Sequence, residues 1–438
     1  MSAPSDSKKK TELVSSRAAA LALLSGAVRD GKAVDTRFQK VAGTLEPRDR
    51  AFVRLLVATT LRRLGQIDAV LGHFVTRTPL PPVEDTLRLG AAQILFLDTA
   101  PHAAVDTSVE LVKRVRQSKM TGLVNAVLRK VVSQGKDLLS EQDALRLSTP
   151  GWLWDGWVKA YGNKTAQQIA AAHLVEAPLD LSLKDVAAAD TWTAPLKATV
   201  LPTGSLRCEV LGRIQELPGF KDGAWWVQDA AAALPAKVLL HALDNSNGKS
   251  VADLCAAPGG KTLQLASTGC AVTAVDRSDM RLDRLKENLS RIGVQAEIVK
   301  ADATDWAPKQ KFDAVLLDAP CSATGTLRRH PDLGYVKTRK EIRGYPDTQK
   351  VLLRKAAEML TPGGVLVYAV CSLEPGEGPG VVEAVIKDGN FTQLKIDPQP
   401  LGADAKWIDE AGALRILPSF WSDKGGLDGF YIALLRKT

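Results

Sequence analysis

From about Leu13 to Gly135 apolar residues return at the three- and four-residue spacing of amphipathic helices, and turn signals interrupt the pattern at Gly31, Pro47, Pro79-Leu80-Pro81-Pro82 and Pro101. The spacing predicts helices over Arg17–Arg29, capped by Ser15 or Ser16, after Pro47, and over Val83–Asp98, Val105–Arg116 and Met120–Gln134. Beyond residue 136 the pattern is broken. Trp152, Trp154 and Trp157 share one face of a helix, Pro178 to Leu183 alternates as a strand does, and Pro195, Pro202 and Pro218 punctuate the short segments after it. From Trp225 the rhythm becomes strand, loop, helix, with strands expected at Ser250–Leu254, Ala271–Val275, Ala296–Val299, Phe312–Leu317, Val365–Val370 and Gly429–Leu435. Helices are expected between them at Lys261–Ser267, Met280–Ile292 and Glu341–Leu360. Such alternation argues for a parallel, doubly wound sheet. The expected organisation is a disordered tail (1–12), an all-α domain (13–140), a small α/β connector (141–224) and an α/β Rossmann-like domain (225–438).

Bulk properties narrow the class. With 438 residues, 45% hydrophobic and 24% charged, the chain is an ordinary globular protein of two or three domains. The opening MSAPSDSKKKTE is polar, unlike a signal peptide, and no apolar run approaches the roughly 20 residues that cross a bilayer, so no membrane association is expected. Five cysteines without a CxxC pair suit a reducing, cytoplasmic setting with free thiols. Five scattered histidines have no metal-ligand spacing, so no metal is expected. The net charge of +8 changes the picture more, because residues 1–140 hold 22 basic and 13 acidic side chains while the rest is nearly balanced at 35 and 36. An excess confined to one helical domain is the footprint of a polyanion-binding module, RNA being the natural partner, against the plainer reading of a solvated basic surface.

The chemistry concentrates at strand ends. In DLCAAPGGKT (Asp253 to Thr262) a strand meets a glycine turn and a helix start, where backbone can approach a ligand closely. The spacing matches neither a Walker loop nor GxGxxG, which argues against nucleotide hydrolysis and nicotinamide chemistry. Asp276, closing the second strand in AVDRS, is placed for ribose hydroxyls, and Asp302 in KADATDW for an adenine amino group. Each alone has a plainer reading as a turn-forming cap, but in order on successive strand ends they describe a nucleoside cofactor without pyrophosphate, namely S-adenosylmethionine. Two thiols then stand above this loop. One strand empties into Asp318-Ala319-Pro320-Cys321, and another ends at Cys371-Ser372. By placement alone either thiol could be the nucleophile.

The sequences DLCAAPGGKT, AVDRS, KADATDW, DAPCSATGTLRRHPD and TPGGVLVYAVCSLEPGE, in this order, resemble the RNA 5-methylcytosine methyltransferases of the Nol1/Nop2/Sun family, which are class I S-adenosylmethionine-dependent enzymes. HAAVDTSVELVKRV (His102 to Val115) and GLVNAVLRK (Gly122 to Lys130) resemble the NusB-like RNA-binding domain. After Cys371-Ser372 the chain departs from the family's usual acidic Glu-Glu/Asn-Glu run, having Glu374-Pro375-Gly376-Glu377-Gly378-Pro379, in which Glu377 keeps one acidic position. The resemblance implies methylation of cytidine carbon 5, the NusB-like module pointing to small-subunit (16S) rRNA, by a chain acting as a monomer. It implies Cys371 as nucleophile toward carbon 6 and Cys321 as the base that assists release, although the Pro-Cys thiol attacks in DNA cytosine methyltransferases. Asp318 would hold the cytosine edge and Lys261 orient or protonate it. Cofactor contacts are implied for Cys255, Ala256, Ala257, Pro258, Gly259, Gly260 and Lys261, with Asp276, Arg281, Asp302 and Asp318. Arg328, Arg329 and His330 read as contacts to the substrate backbone, and Cys208 and Cys270 as inert. The competing readings are a tRNA 5-methylcytosine methyltransferase and a non-catalytic RNA-binding factor of the antitermination type.

Overall fold

A computed structural model of the chain describes residues 6–209 and 212–438, with side chains from Ser16 onward. It divides into two compact units: residues up to Val175 together with Leu327–Thr338, and Glu176–Thr326 together with Arg339–Thr438.

The first unit is helical, with elements at Asp6–Asp30, Val34–Ala42, Pro47–Arg62, Leu64–Gly72, Pro81–Phe96, Pro101–Arg114, Thr121–Ser140, Ala144–Ser148 and Gly151–His173. Its first helix starts at Asp6, inside the stretch expected to be a disordered tail, of which residues 1–5 lie outside those described. Pro47, Pro81 and Pro101 act as starts rather than interruptions, because proline in the first turn of a helix sacrifices no intrahelical bond. Leu23, Leu24, Leu56, Leu61, Ile67 and Leu87 are fully buried at the centre. Asp85 is also buried there, accepting from Arg29 Nε and Arg88 Nη1 at 2.8 Å each and from Ser25 Oγ at 2.6 Å.

Two segments join this unit from outside the expected 13–140. The segment Gly151–His173 is two helices that meet at a break at Gly162 (φ +80°), and this brings the ring of buried Trp157 to 5.2 Å from that of His173, so the tryptophan fills a core. Leu327–Thr338, which comes after the Cys321 loop in the chain, is stitched in by Val34 N donating to Asp332 Oδ2 (2.8 Å), Tyr335 Oη to the Leu61 carbonyl (3.1 Å) and Trp152 Nε1 to the Gly334 carbonyl (3.2 Å). Arg328 is buried, against the expectation that it faces an RNA backbone, while His330 pairs with Asp35 at 3.1 Å.

In the second unit, β1 (Leu179–Leu183), β2 (Ala198–Val200), β3 (Leu206–Cys208) and β4 (Trp225–Val227) form an antiparallel sheet ordered β2-β3-β1-β4. Asp180 and Arg207 lie opposite one another across β1 and β3 and form a buried two-pronged pair, 2.7 Å at both contacts. Removing one partner leaves the other charge buried and unmatched. Asp180→Ala is therefore expected to lower the unfolding free energy of this unit by about 3–5 kcal/mol, read from its chemical denaturation midpoint.

The main sheet contains β5 (Ser250–Leu254), β6 (Ala271–Asp276), β7 (Glu297–Lys300), β8 (Phe312–Asp318), β9 (Leu360–Val370), β10 (Phe391–Leu394), β11 (Leu414–Ile416) and β12 (Phe430–Lys437). Its order is β10-β12-β9-β8-β5-β6-β7, with β11 on β12. The five strands from β9 to β7 are parallel, as expected, but β12 runs antiparallel to β9, and β10 and β11 antiparallel to β12, so the sheet is mixed. Ala252, Leu254, Val315 and Leu317 are buried on one face and Val251, Leu316 and Val367 on the other, as strands covered on both faces require. The helix expected over Glu341–Leu360 is two, Arg339–Ile342 and Tyr345–Met359, the second opening with Pro346 in its first turn. The carboxyl ends of β5, β6, β7, β8 and β9 deliver the cofactor loop, Asp276, Asp302, Asp318 and Cys371 to one edge.

Candidate active site

The loop after β5 is shaped by its backbone. Cys255 has φ +59° and Gly259 φ +105°, and a Cβ on Gly259 would lie 2.3 Å from Leu285 Cδ1, so only glycine fits. The Ala256 amide donates to the Val275 carbonyl at 3.1 Å, tying the loop to β6. Asp276, nearly fully buried, accepts from the amides of Ala257 (3.2 Å) and Ser278 (3.0 Å). Arg281 lies 3.4 Å from Asp276 Oδ2 and donates to the Ala257 carbonyl. Asp302 stands in the open, its Oδ1 fixed by the Thr304 amide (3.0 Å) and hydroxyl (2.8 Å); these bonds hold its carboxyl below the ordinary carboxylate range.

A cavity of about 440 Å³ lies over these strand ends, lined among others by Cys255, Asp276, Arg281, Asp302, Asp318, Cys321 and Cys371. Ala256, Ala257, Pro258, Gly260 and Lys261 line a neighbouring cavity of about 320 Å³, which Asp318 also borders. Of the residues expected at the cofactor, Gly259 lines neither and acts through the turn it makes. Among the described residues no cluster of three or more His, Cys, Asp or Glu is arranged to hold a metal ion.

Lys261 Nζ sits 2.6 Å from Asp318 Oδ2 and 5.6 Å from the centre of the Phe430 ring. Burial opposes its charge, but Asp318 and Asp253 outweigh it and hold the ammonium above its ordinary pKa; Cys371 is within the same electrostatic reach. The thiols of Cys321 and Cys371 meet at 3.4 Å. The hydrogen bond to Cys371 and burial push the Cys321 thiol well above its ordinary value, with Glu377 and Asp318 adding to the effect. Burial likewise raises Cys255 to about 12 and Cys208 to about 11.

Asp253, beneath the loop, accepts from Thr262 Oγ1 at 2.6 Å through Oδ2, while Oδ1 has no partner. Burial pushes its carboxyl up to about 7. The folded state therefore favours the protonated form, and this stabilisation is complete below about pH 4 and lost as pH rises to about 7. Relative to wild type, Asp253→Asn is expected to gain on the order of a few kcal/mol of unfolding free energy across that window and no more above it, measured by urea denaturation at each pH.

Sequence reasoning missed the packing around the thiols. Ser322, Ser372, Gln349 and Glu377 are fully buried beside them, and Phe430 closes over Lys261. The one visible signal was the serine directly after each cysteine.

Residues 240–436 match the family model described as 16S rRNA methyltransferase RsmB/F, and residues 14–133 match the NusB family. The ribosomal RNA small subunit methyltransferase B of Escherichia coli O127:H6 is 32% identical over 395 residues, covering 85% of this chain and 91% of that protein. The chain belongs to the RsmB/F methyltransferase family. As an RsmB/F protein it methylates RNA with S-adenosylmethionine as methyl donor. A methyltransferase homologue from Pyrococcus horikoshii is 27% identical with a TM-score of 0.54, covering 65% of this chain and 94% of that one. The crystal structure of PH0851, at 22% identity, shares the fold over 99% of both chains with a TM-score of 0.76. The NusB match falls on the helical unit, and the RsmB/F match on the α/β unit except for Leu327–Thr338. Among the described residues no helix is long and apolar enough to cross a membrane.

Proposed function

We propose that this RsmB/F protein methylates carbon 5 of a cytidine in 16S rRNA through a transient bond between Cys371 and carbon 6 of the base. The observation that carries this is the pair of thiols 3.4 Å apart at the ends of neighbouring parallel strands, beside the Lys261–Asp318 pair. One-thiol or thiol-free methyl transfer gives no reason for such a pair.

The residues present suit the cofactor. Asp276 and Asp302 stand at successive strand ends for ribose and adenine, and each Asp276 oxygen that accepts a backbone amide keeps a second lone pair for a ribose hydroxyl. Arg281 steadies Asp276, and the loop from Cys255 to Lys261 together with Asp318 would hold the methionine part. S-adenosylmethionine, when bound, supplies an electrophilic methyl group. The protein's task is to make a poor carbon nucleophile reactive toward it.

Carbon 5 of cytosine becomes nucleophilic when the Cys371 thiolate adds to carbon 6 and turns the ring enamine-like. The nearby Lys261 ammonium supplies a proton to the base edge as charge builds, while Asp318, 2.6 Å from it, holds that edge. Cys321 is a thiol at rest; once its own proton has passed to water its thiolate takes the carbon-5 proton. The freed electron pair re-forms the ring double bond and expels Cys371 as thiolate, and the base edge returns its proton to Lys261. The target base must leave any helical stack to reach these groups. Free thiols at all five cysteines suit a cytoplasmic setting.

The test is transfer of labelled methyl from S-adenosylmethionine to unmodified small-subunit rRNA, with digestion of the product to nucleosides. Label in 5-methylcytidine is the expected result. Label accepted only by tRNA would move the substrate, and label in another nucleoside would overturn the proposal.

A further inference from the structure

We propose that the carboxylate of Glu377 is the positioning residue that sets the two thiol-bearing loops against one another. The inference rests on the proposed function, in which both thiols act on one base. Carbons 5 and 6 of cytosine are bonded neighbours, so a nucleophile at one and a proton acceptor at the other must be held side by side, and a small displacement costs rate steeply.

Glu377 is fully buried and grips both loops. Its Oε2 accepts from the amide of Ser322, the residue after Cys321, at 2.8 Å, and from Gln349 Nε2 at 3.0 Å. The same Gln349 nitrogen donates to the carbonyl of Pro320, the residue before Cys321, at 2.9 Å. Glu377 therefore holds the backbone on both sides of Cys321, directly and through one intermediary. Its Oε1 accepts from the hydroxyl of Ser372, the residue after Cys371, at 2.9 Å. The Ser322 and Ser372 hydroxyls meet at 2.9 Å, which closes the ring of contacts. Glu377 is itself anchored, because the buried Tyr368 hydroxyl donates to its carbonyl at 2.6 Å.

Besides the 3.4 Å thiol contact itself, the other bonds between the two segments lie farther from Cys321, with the Ala319 amide donating to the Ala369 carbonyl at 2.9 Å before it. Gly325 N donates to the Cys371 carbonyl (3.0 Å) and Leu373 N to Thr324 Oγ1 (3.0 Å), both beyond the thiol. A Cβ on Gly325 would lie 2.1 Å from the Gly429 carbonyl oxygen, so the far end of this loop is fixed by close backbone packing. The Pro320–Ser322 end has Glu377 and Gln349 as its clamp. Only a carboxylate does this, since it accepts at both oxygens, whereas the isosteric amide accepts at one. The charge also has an electrostatic consequence, because it adds to the hydrogen bond and burial that keep Cys321 protonated at rest.

The experiment uses the full chain and reads thiol geometry separately from methylation. Diamide oxidises two adjacent thiols to a disulfide and takes up their two hydrogens. Formation of the Cys321–Cys371 bond is monitored by peptide mass under non-reducing conditions, in wild type, Glu377→Gln and Ser372→Ala. In parallel, kcat for methyl transfer and the cofactor Kd are measured. Glu377→Gln is expected to slow both disulfide formation and kcat on the order of 10²-fold while the cofactor Kd is unchanged, a split that a loss of general stability would not give. Ser372→Ala cuts one arm of the clamp by deleting a single oxygen and is expected to slow both to a smaller extent; it decides the matter if Glu377→Gln does not fold. Disulfide formation at the wild-type rate in the folded variants overturns the proposal, whatever happens to kcat. A wild type that transfers no methyl to cytosine, with pairing still slowed in Glu377→Gln, supports the clamp and removes the functional reading instead.

Discussion

Replacing Cys371 with alanine is expected to lower kcat on the order of 10⁴-fold or more, with S-adenosylmethionine still bound at wild-type affinity. The chemistry sets the size. Without addition at carbon 6, carbon 5 has no electron density to offer an alkylating methyl group, and nothing else beside the base supplies a nucleophile in its place. Among the described residues Cys321 is the one thiol in contact with Cys371, and in the variant, where that hydrogen bond is gone, burial and the negative charges of Glu377 and Asp318 still oppose its ionisation. The substitution removes a half-buried sulfur and disturbs no backbone bond, so folding should survive. Single-turnover transfer and an equilibrium cofactor titration separate the two effects.

Replacing Cys321 with alanine should have the opposite signature. Cys371 can still add, and the methyl can still transfer, but the carbon-5 proton has no acceptor and the carbon–sulfur bond cannot break. Protein is expected to accumulate as a covalent complex with RNA, seen as a retarded band that survives denaturation, while turnover falls by about 10²–10⁴-fold, the range for loss of a general base. In the double variant the band should vanish. These two results together assign the roles; a band in Cys371→Ala and none in Cys321→Ala would exchange them.

Much of the site was legible because it lies where periodicity is strongest. Strand β5 runs from Ser250 to Leu254 as the apolar pattern predicts, and Asp276, Asp318 and Cys371 fall at strand ends because buried parallel strands expose their chemistry only at their termini. What escaped were arrangements made by contacts between distant residues. The helix carrying Trp157 reads as connector by position, yet its aromatic face belongs to the helical unit. Arg328 reads as a basic RNA contact and is instead buried, and the segment from Leu327 to Thr338 that carries it belongs to that same unit. Strands β10 and β11 are four and three residues long, too short for alternation to register. Glu377 appeared as the remnant of an acidic run, and its significance emerges only from three donors that lie 5, 28 and 55 residues away in sequence.

The central claim is a bond between Cys371 and carbon 6 of cytosine, and one measurement addresses it directly. Wild-type protein is incubated with S-adenosylmethionine and small-subunit rRNA transcribed with 5-fluorocytidine, which carries no removable proton at carbon 5 and so retains the adduct after methyl transfer. The trapped complex is digested with nuclease and protease, and the modified peptide is located by mass spectrometry. The account predicts a fluorinated, methylated cytidine on Cys371 and unmodified Cys321. A nucleotide on Cys321, or methylated RNA with no adduct on either thiol, would contradict it.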